Sequence, residues 1–329
     1  NAIVPLIKTL TTDKAGDVRK IAAEALAMIG SETVIKPIIS VFITEKVMGV
    51  RRSIVYALGK IGTEAVIEPL IKILTTDKED DVRASAGSAL GMIGSEKVIE
   101  PLIPVLTTDK ARCVREIAAE VLGDIGDERA IKPLVNAITN ESESVVRWRA
   151  AEALGKIGSE TAIEPLIKIL TTDSESDVRE KAAEALGKIG GEKIVEPLID
   201  ALINDKARGV RGRVAYELGR IGGDKVTKLL SNTLVNDKDS VVRGFAAHAL
   251  GNIGSAKVID LLINAFAFDK EYFVQESIIE VLGNIGNEKA IEPLKRVLKD
   301  EGAYCTKNVC GTKNVKDKAF YSLGKISRR

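Results

Sequence analysis

A proline recurs every 32 residues along most of the chain, at Pro5, Pro37, Pro69, Pro101, Pro133, Pro165 and Pro197, and again at Pro293. Leu229 and Leu261 stand in the same register between the last two. A fixed period of this length restricts the chain to a stack of supersecondary units, because one such unit is too small to bury its own apolar face. Ten units, starting near residues 1, 31, 63, 95, 127, 159, 191, 223, 255 and 287, account for the 329 residues once nine inserted residues around 303–314 are assigned to the last. The reading is of a single repeat domain over 1–329.

The clearest copy runs from Ser159 to Gly190. In its first half Ile163, Leu166, Ile167 and Leu170 fall at i, i+3, i+4 and i+7, the stripe of an amphipathic helix. A capping residue after glycine marks the start of this helix at Ser31, Thr63, Ser95, Asp127, Ser159, Ser255 and Asn287. With Ser159 as N-cap, Pro165 lies beyond the first turn and removes one helical hydrogen bond, which predicts a kink. After a Thr-Thr-Asp turn, Val178, Ala182, Ala185, Leu186 and Ile189 form the stripe of a second helix. Ala183 and Gly187 beside that stripe allow neighbouring helices to approach to roughly 8 Å, and Gly190 suits a left-handed residue ending the helix. With 45% hydrophobic but only 4% aromatic residues, the core must be aliphatic. The expected fold is all-α, a right-handed α-solenoid of about ten two-helix repeats.

The pattern I-x-P-L-I-x-x-L, then D-x4-V-R-x-x-A-A-x-A-L-G-x-I-G, resembles the HEAT-like repeat first described in phycocyanobilin lyase (PBS lyase) subunits, over essentially the whole chain. The resemblance implies the two-helix solenoid. It also implies a family that contains bilin lyase subunits, assembly scaffolds and the repeat arrays of larger signalling proteins, so fold alone does not choose among them.

An acidic residue occupies the turn of every unit, from Asp13 and Glu45 through Asp173 and Asp205 to Asp269 and Glu301, and an arginine follows six residues later at 19, 51, 83, 115, 147, 179, 211 and 243. Carboxylates and guanidiniums in rows could bind phosphates or act as acid and base. A residue needed equally in all units more readily holds units together: the carboxylate favours the helix start and arginine bridges bidentately to the neighbouring turn.

Function is therefore sought where the copies differ. Second-helix positions facing away from core and neighbours, expected to line the concave face, are Ser176, Asp177, Glu180, Lys181, Glu184 and Lys188 in the clearest copy. Elsewhere the same positions carry Arg52, Tyr56, Trp148, Arg149, Arg208, Arg213, Tyr216, Arg220, Phe245, His248, Tyr272 and Phe273, with Tyr321 in the last unit. Tyr, Trp and Arg dominate binding hot spots because they offer large rigid contact area and multidentate hydrogen bonds. Some rings would instead fill gaps left by Gly212 and Gly244. The clustering centres the expected site on units five to nine.

A net charge of +1 gives no global footprint for nucleic acid or an anionic membrane. His248 is the only histidine, so a histidine metal cluster is excluded, and the resemblance to di-iron HEAT-repeat hydroxylases stops at the fold. Cys305 and Cys310 in the insertion favour a capping loop; a disulfide or a shared metal site are its alternatives. Cys113 sits on the ladder side. Three cysteines point to a reducing cytosol, and no apolar run approaches the ~18 residues of a membrane span. The start at Asn1, within a repeat's first turn, leads us to expect a fragment or processed form. The leading expectation is a non-enzymatic protein-binding scaffold without cofactor, its partner another protein or a neighbouring domain. The alternatives are a bilin lyase subunit, with a bilin between the aromatics, and, third, a nucleic-acid binder.

Overall fold

A computed structural model describes residues 2–254, 256–299 and 312–327; Cys305, Cys310, Ser255 and the insertion up to 311 lie outside them. Among the described residues there are twenty α-helices and no β-strand, and the chain is an all-α solenoid of about ten repeats, divided into two compact units, Asn1–Pro165 and Leu166–Arg329. The first unit comprises α1 (Ile3–Thr12), α2 (Gly16–Ile29), α3 (Ile35–Thr44), α4 (Met48–Ile61), α5 (Ile67–Thr76), α6 (Asp80–Ile93), α7 (Ile99–Thr108), α8 (Arg112–Ile125), α9 (Ile131–Asn140) and α10 (Ser144–Ile157). After α11 (Ile163–Thr172), at the division, come α12 (Ser176–Ile189), α13 (Val195–Asn204), α14 (Arg208–Ile221), α15 (Asp224–Asn236), α16 (Ser240–Ile253), α17 (Ala256–Phe268), α18 (Tyr272–Ile285), α19 (Ile291–Lys299) and α20 (Thr312–Ile326). Odd-numbered helices are the first of each repeat and even-numbered helices the second.

The expected cap and kink are replaced by a different arrangement. Where the repeat carries proline, the capping residue opens one 3-10 turn, such as Glu32–Val34 or Glu160–Ala162, and the α-helix follows at Ile35 or Ile163. Pro37 and Pro165 are then the third residues of their helices, within the first turn, where a backbone N–H has no intrahelical acceptor and proline costs little. Proline is what divides the segment: with Leu229 in its place, α15 is a continuous 13-residue helix in which Thr227 N donates to Gly223 O at 2.9 Å. Asp127 and Asn287 cap the 3-10 turn by accepting from Arg129 N and Lys289 N at 2.8 and 2.9 Å. Thr63 and Ser159 make no such bond.

Gly158 and Gly254 end their helices in the left-handed conformation, but Gly190, expected to do so, has φ 77° and ψ −164°. That extended positive-φ region is open essentially to glycine alone, and Gly191 continues it at φ 96°.

Within each unit the second helices stack directly on one another, while the first helices touch their neighbours far less. Small residues make the close approach possible. A Cβ built on Gly123 would lie 2.5 Å from Ala153 Cβ, and one on Gly219 would lie 2.6 Å from Ala249 Cα. The core between the layers is aliphatic, with Leu26, Ile54, Leu58, Leu70, Leu122 and Leu186 fully buried, each contributing about 1.5–3 kcal/mol by removal from water.

The acid and arginine rows form the expected ladder between repeats. Arg83 Nε and Nη2 donate to Asp109 Oδ2 and Oδ1 at 2.8 and 2.9 Å, while its Nη1 donates to Asp77 O of its own turn at 2.9 Å. Arg19–Glu45 and Arg115–Glu141 repeat this in the first unit, and Arg179–Asp205, Arg211–Asp237 and Arg243–Asp269 in the second. Burial alone would raise the Asp109 carboxyl, but Arg83 and the Ala111 N–H outweigh it and hold the group below the usual carboxylate range. Arg51 departs from the pattern: its guanidinium pairs with Asp77 while stacked 4.6 Å from the centre of the Phe42 ring. At the arginine position of the ninth repeat Gln275 makes the bond within its own turn, Nε2 to Asp269 O at 2.9 Å.

Candidate functional site

The candidate residues fall on second helices of both compact units. In the first unit Arg52 and Tyr56 lie on α4 and Trp148 and Arg149 on α10; the remaining eight lie in the second unit on α14, α16 and α18. Arg208 and Tyr272 are the first residues of their helices. Arg208 is exposed beside Asp239, 3.9 Å away, at the turn end of the face.

Most of the arginine charge is already engaged. Arg149 faces Glu116 at 3.2 Å, Glu120 at 3.6 Å and Glu152 at 3.2 Å, and stacks 4.7 Å from the centre of the Trp148 ring. Arg213 stands within 3.6–3.9 Å of Glu180, Glu184 and Glu217 and lies 5.9 Å from the Tyr216 ring centre. Arg220 donates to Glu217 at 2.9 Å but is half exposed. Arg149 and Arg220 are hydrogen-bonded to carboxylates and Arg213 is surrounded by them without a hydrogen bond among the described residues, so their charge is partly neutralised and they are weaker anchors for a ligand than their identity suggested.

Two aromatics are gap fillers. A Cβ on Gly212 would come 2.8 Å from Phe245 Cδ2, and the Phe273 ring covers Gly244 in the same way. Each ring therefore replaces the missing side chain of the helix before it, while remaining 36% and 40% exposed. Tyr56 and Tyr216, 46% and 38% exposed, have no such glycine beneath them and present their rings outward. Tyr321 is more exposed still, with Lys325 Nζ 4.8 Å from its ring centre.

His248 lies between these extremes. Burial pushes its imidazole below the ordinary value, with Glu280 opposing and Lys318 assisting, which favours the neutral form. Lys318 is held by Glu276 at 2.7 Å and Glu280 at 2.9 Å. Cys113 has its thiol pushed up by burial and by Asp80 and Asp81, which disfavours the reactive thiolate. Among the described residues no group of three or more His, Cys, Asp or Glu is placed to hold a metal ion, and no helix is long and apolar enough to cross a membrane.

Glu217 was not singled out from sequence. Its residue is 1% exposed, and burial pushes its carboxyl above the ordinary range against the pull of Arg220 and Arg213. The signal was present in the repeat: the same position is Ala57, Ala89, Val121, Ala153, Ala185, Ala249 and Val281 in other copies. Also missed was a cavity of about 550 Å³ on the second-helix face of the first unit, where Arg52 and Tyr56 meet Lys20, Ser88 and Met92. Other cavities lie at the ladder turns, such as one lined by Thr75, Asp77, Arg83 and Asp109.

In fold the chain is similar to Kap95p, known from a study of its binding to RanGDP, with 15% identity and a TM-score of 0.71 over 99% of this chain and 52% of Kap95p. It is similar to importin β, with 16% identity and a TM-score of 0.68 over 98% of this chain and 52% of that one. The E. coli protein YibA shares 20% identity at a TM-score of 0.54, over 87% of this chain and 99% of YibA. The chain thus spans about half the length of Kap95p and importin β. A comparison with curated proteins gave no match. The PBS lyase HEAT-like repeat matches residues 82–108. The family described as HEAT repeats matches residues 3–91, 99–187, 163–244 and 227–309, nearly the full length, and the chain belongs to the HEAT-repeat family.

Proposed function

We propose that this chain is a non-enzymatic, cytoplasmic scaffold that holds a protein partner against its second-helix face. One observation carries the reading: the residues repeated from copy to copy are consumed by the ladder and the glycine seam, while exposed unrepeated aromatics such as Tyr56 and Tyr216 project from second helices. Rigid aromatic rings flanked by fixed charge networks are the composition of a protein-binding hot spot. Kap95p, similar in fold, binds RanGDP, which supports a protein as the ligand class.

The test is affinity capture from the native source with the full chain and its Tyr56→Ala/Tyr216→Ala variant. The reading predicts a partner retained by the parent and lost by the variant, with both chains unfolding at the same temperature. Equal capture by both would overturn it. The reading also predicts that titration into a bilin solution leaves the pigment's visible spectrum unchanged; a saturable shift or intensification of its band would move the assignment to chromophore handling.

A further inference from the structure

The cavity of about 550 Å³ between α2, α4 and α6 differs in charge from the rest of the second-helix face. Arg149 and Arg213 are surrounded by carboxylates, whereas the two lining cations, Lys20 and Arg52, have none within 4.0 Å among the described residues. Glu24 is the one acid among the lining residues, and its Oε1 already accepts from Ser53 Oγ at 3.3 Å. Arg52 Nε donates to Ser85 Oγ at 3.3 Å, which holds the guanidinium at the cavity wall. Ser85 and Ser88 donate their hydroxyl protons to Asp81 O and Ala84 O at 2.7 and 3.2 Å, so Ser88 Oγ keeps two lone pairs, and Ser85 Oγ one beside the bond from Arg52, to accept from a ligand N–H. The apolar part is made by Tyr56, Ala89 and Met92. Met92 is 48% exposed and adaptable in shape, a side chain suited to receiving another hydrophobic group.

We propose that this cavity docks an acidic peptide segment of a protein partner, with an Asp or Glu carboxylate between Lys20 and Arg52 and an adjacent apolar side chain against Tyr56 and Met92. The proposal rests on the protein-binding reading above and adds the partner's chemistry. Charge complementarity selects the occupant: unpaired cations beside an apolar floor fit a carboxylate next to a hydrophobic residue. The serine oxygens fit backbone N–H donors, which a polyanion such as DNA does not offer along its phosphates.

The experiment uses the full chain labelled with 13C at its methionine methyls, of which there are three, Met28, Met48 and Met92. The probe is a twelve-residue peptide of alternating Glu and Leu; an alternating Lys and Leu peptide and a single-stranded DNA oligomer are the comparisons. The expected result is a saturable shift of the Met92 methyl with the Glu peptide alone, Met28 unmoved, and affinity falling with salt. Arg52→Glu lowers the affinity by about tenfold or more, while Arg149→Glu changes it by less than about twofold. No Met92 shift, an equal response to the Lys peptide, stronger binding of DNA, or equal loss in the Arg149 variant would each overturn the proposal. Absence of a Met92 shift together with tyrosine-dependent partner capture removes this site and leaves the broader reading standing. Loss of tyrosine dependence with the Met92 shift intact overturns the broader reading, and with it the assignment of a protein partner, and leaves the cavity as a site for acidic peptides alone.

Discussion

Arg220 Nη1 donates to Glu217 Oε2 at 2.9 Å, and the carboxylate it holds lies over Gly187 on the neighbouring second helix. A charge stands here where other repeats have alanine or valine, and burial raises its pKa despite the arginine. For an acid whose folded pKa is raised, stability falls as pH climbs from the ordinary Glu value through the raised one. Glu45, Asp109, Glu141, Asp205 and Asp237 are shifted down instead. Their contribution is present above the ordinary carboxylate range and is lost as pH falls through their folded values. Glu217→Gln removes the first slope and keeps the second. Thermal unfolding between about pH 4 and about pH 7 should show the variant gaining on the parent as pH rises; a gain confined to the acid end would contradict the assignment.

Seam glycines are not equivalent. Gly219→Ala meets Ala249 Cα at 2.6 Å, an atom of the helix backbone, so the two helices must separate. Gly187→Ala meets the flexible end of Glu217 and can be relieved by moving that side chain. Overpacking of about 1–3 kcal/mol is expected for Gly219→Ala. In Gly187→Ala the gain in helix propensity of about 1 kcal/mol largely offsets the disturbance. Urea unfolding of the two variants checks the order.

Ladder arginines should behave as structural members. Arg211 is 3% exposed, and its removal as Arg211→Ala strands the Asp237 carboxylate, at a cost of about 3–5 kcal/mol. Arg211→Gln loses less, because the amide can reproduce the turn bond that Gln275 makes to Asp269 O. Equal destabilisation by the two, measured by denaturant unfolding, would mean that the turn bond contributes nothing.

Phe245 and Tyr216 separate packing from presentation. Phe245→Ala uncovers Gly212 and should cost about 1–3 kcal/mol, less than the ~3–5 kcal/mol of a fully buried phenylalanine. Tyr216→Ala removes an outward ring and should stay within about 0.5 kcal/mol of the parent. Thermal unfolding of the pair tests this; comparable losses would place Tyr216 in the scaffold as well.

The periodic part of the molecule was legible in the sequence because identical positions have identical jobs. Pro37, Asp109, Arg83 and Gly219 each announce their role by recurring, and the ladder follows from arginine length and a fixed offset to the next turn. The proline junction was misjudged because the capping residue and the proline were assigned to one α-helix, whereas proline itself confines the helix to the segment starting two residues before it. What each unrepeated side chain touches was less accessible. Glu116 and Arg149, Glu180 and Arg213, and Gly212 and Phe245 are pairs 33 residues apart on adjacent second helices, so one repeat's apparent hot-spot residue is neutralised or seated by the repeat before it. That offset depends on how the helices stack, which the period of 32 does not state.

The most direct measurement of the central claim is photo-crosslinking from single positions in the cell of origin, with p-benzoylphenylalanine placed at Tyr216 on α14 or at Ile203 on α13, both exposed. Capture along the second-helix face predicts a discrete protein adduct from position 216 and none from position 203; adducts of equal yield from both, or from 203 alone, would contradict it.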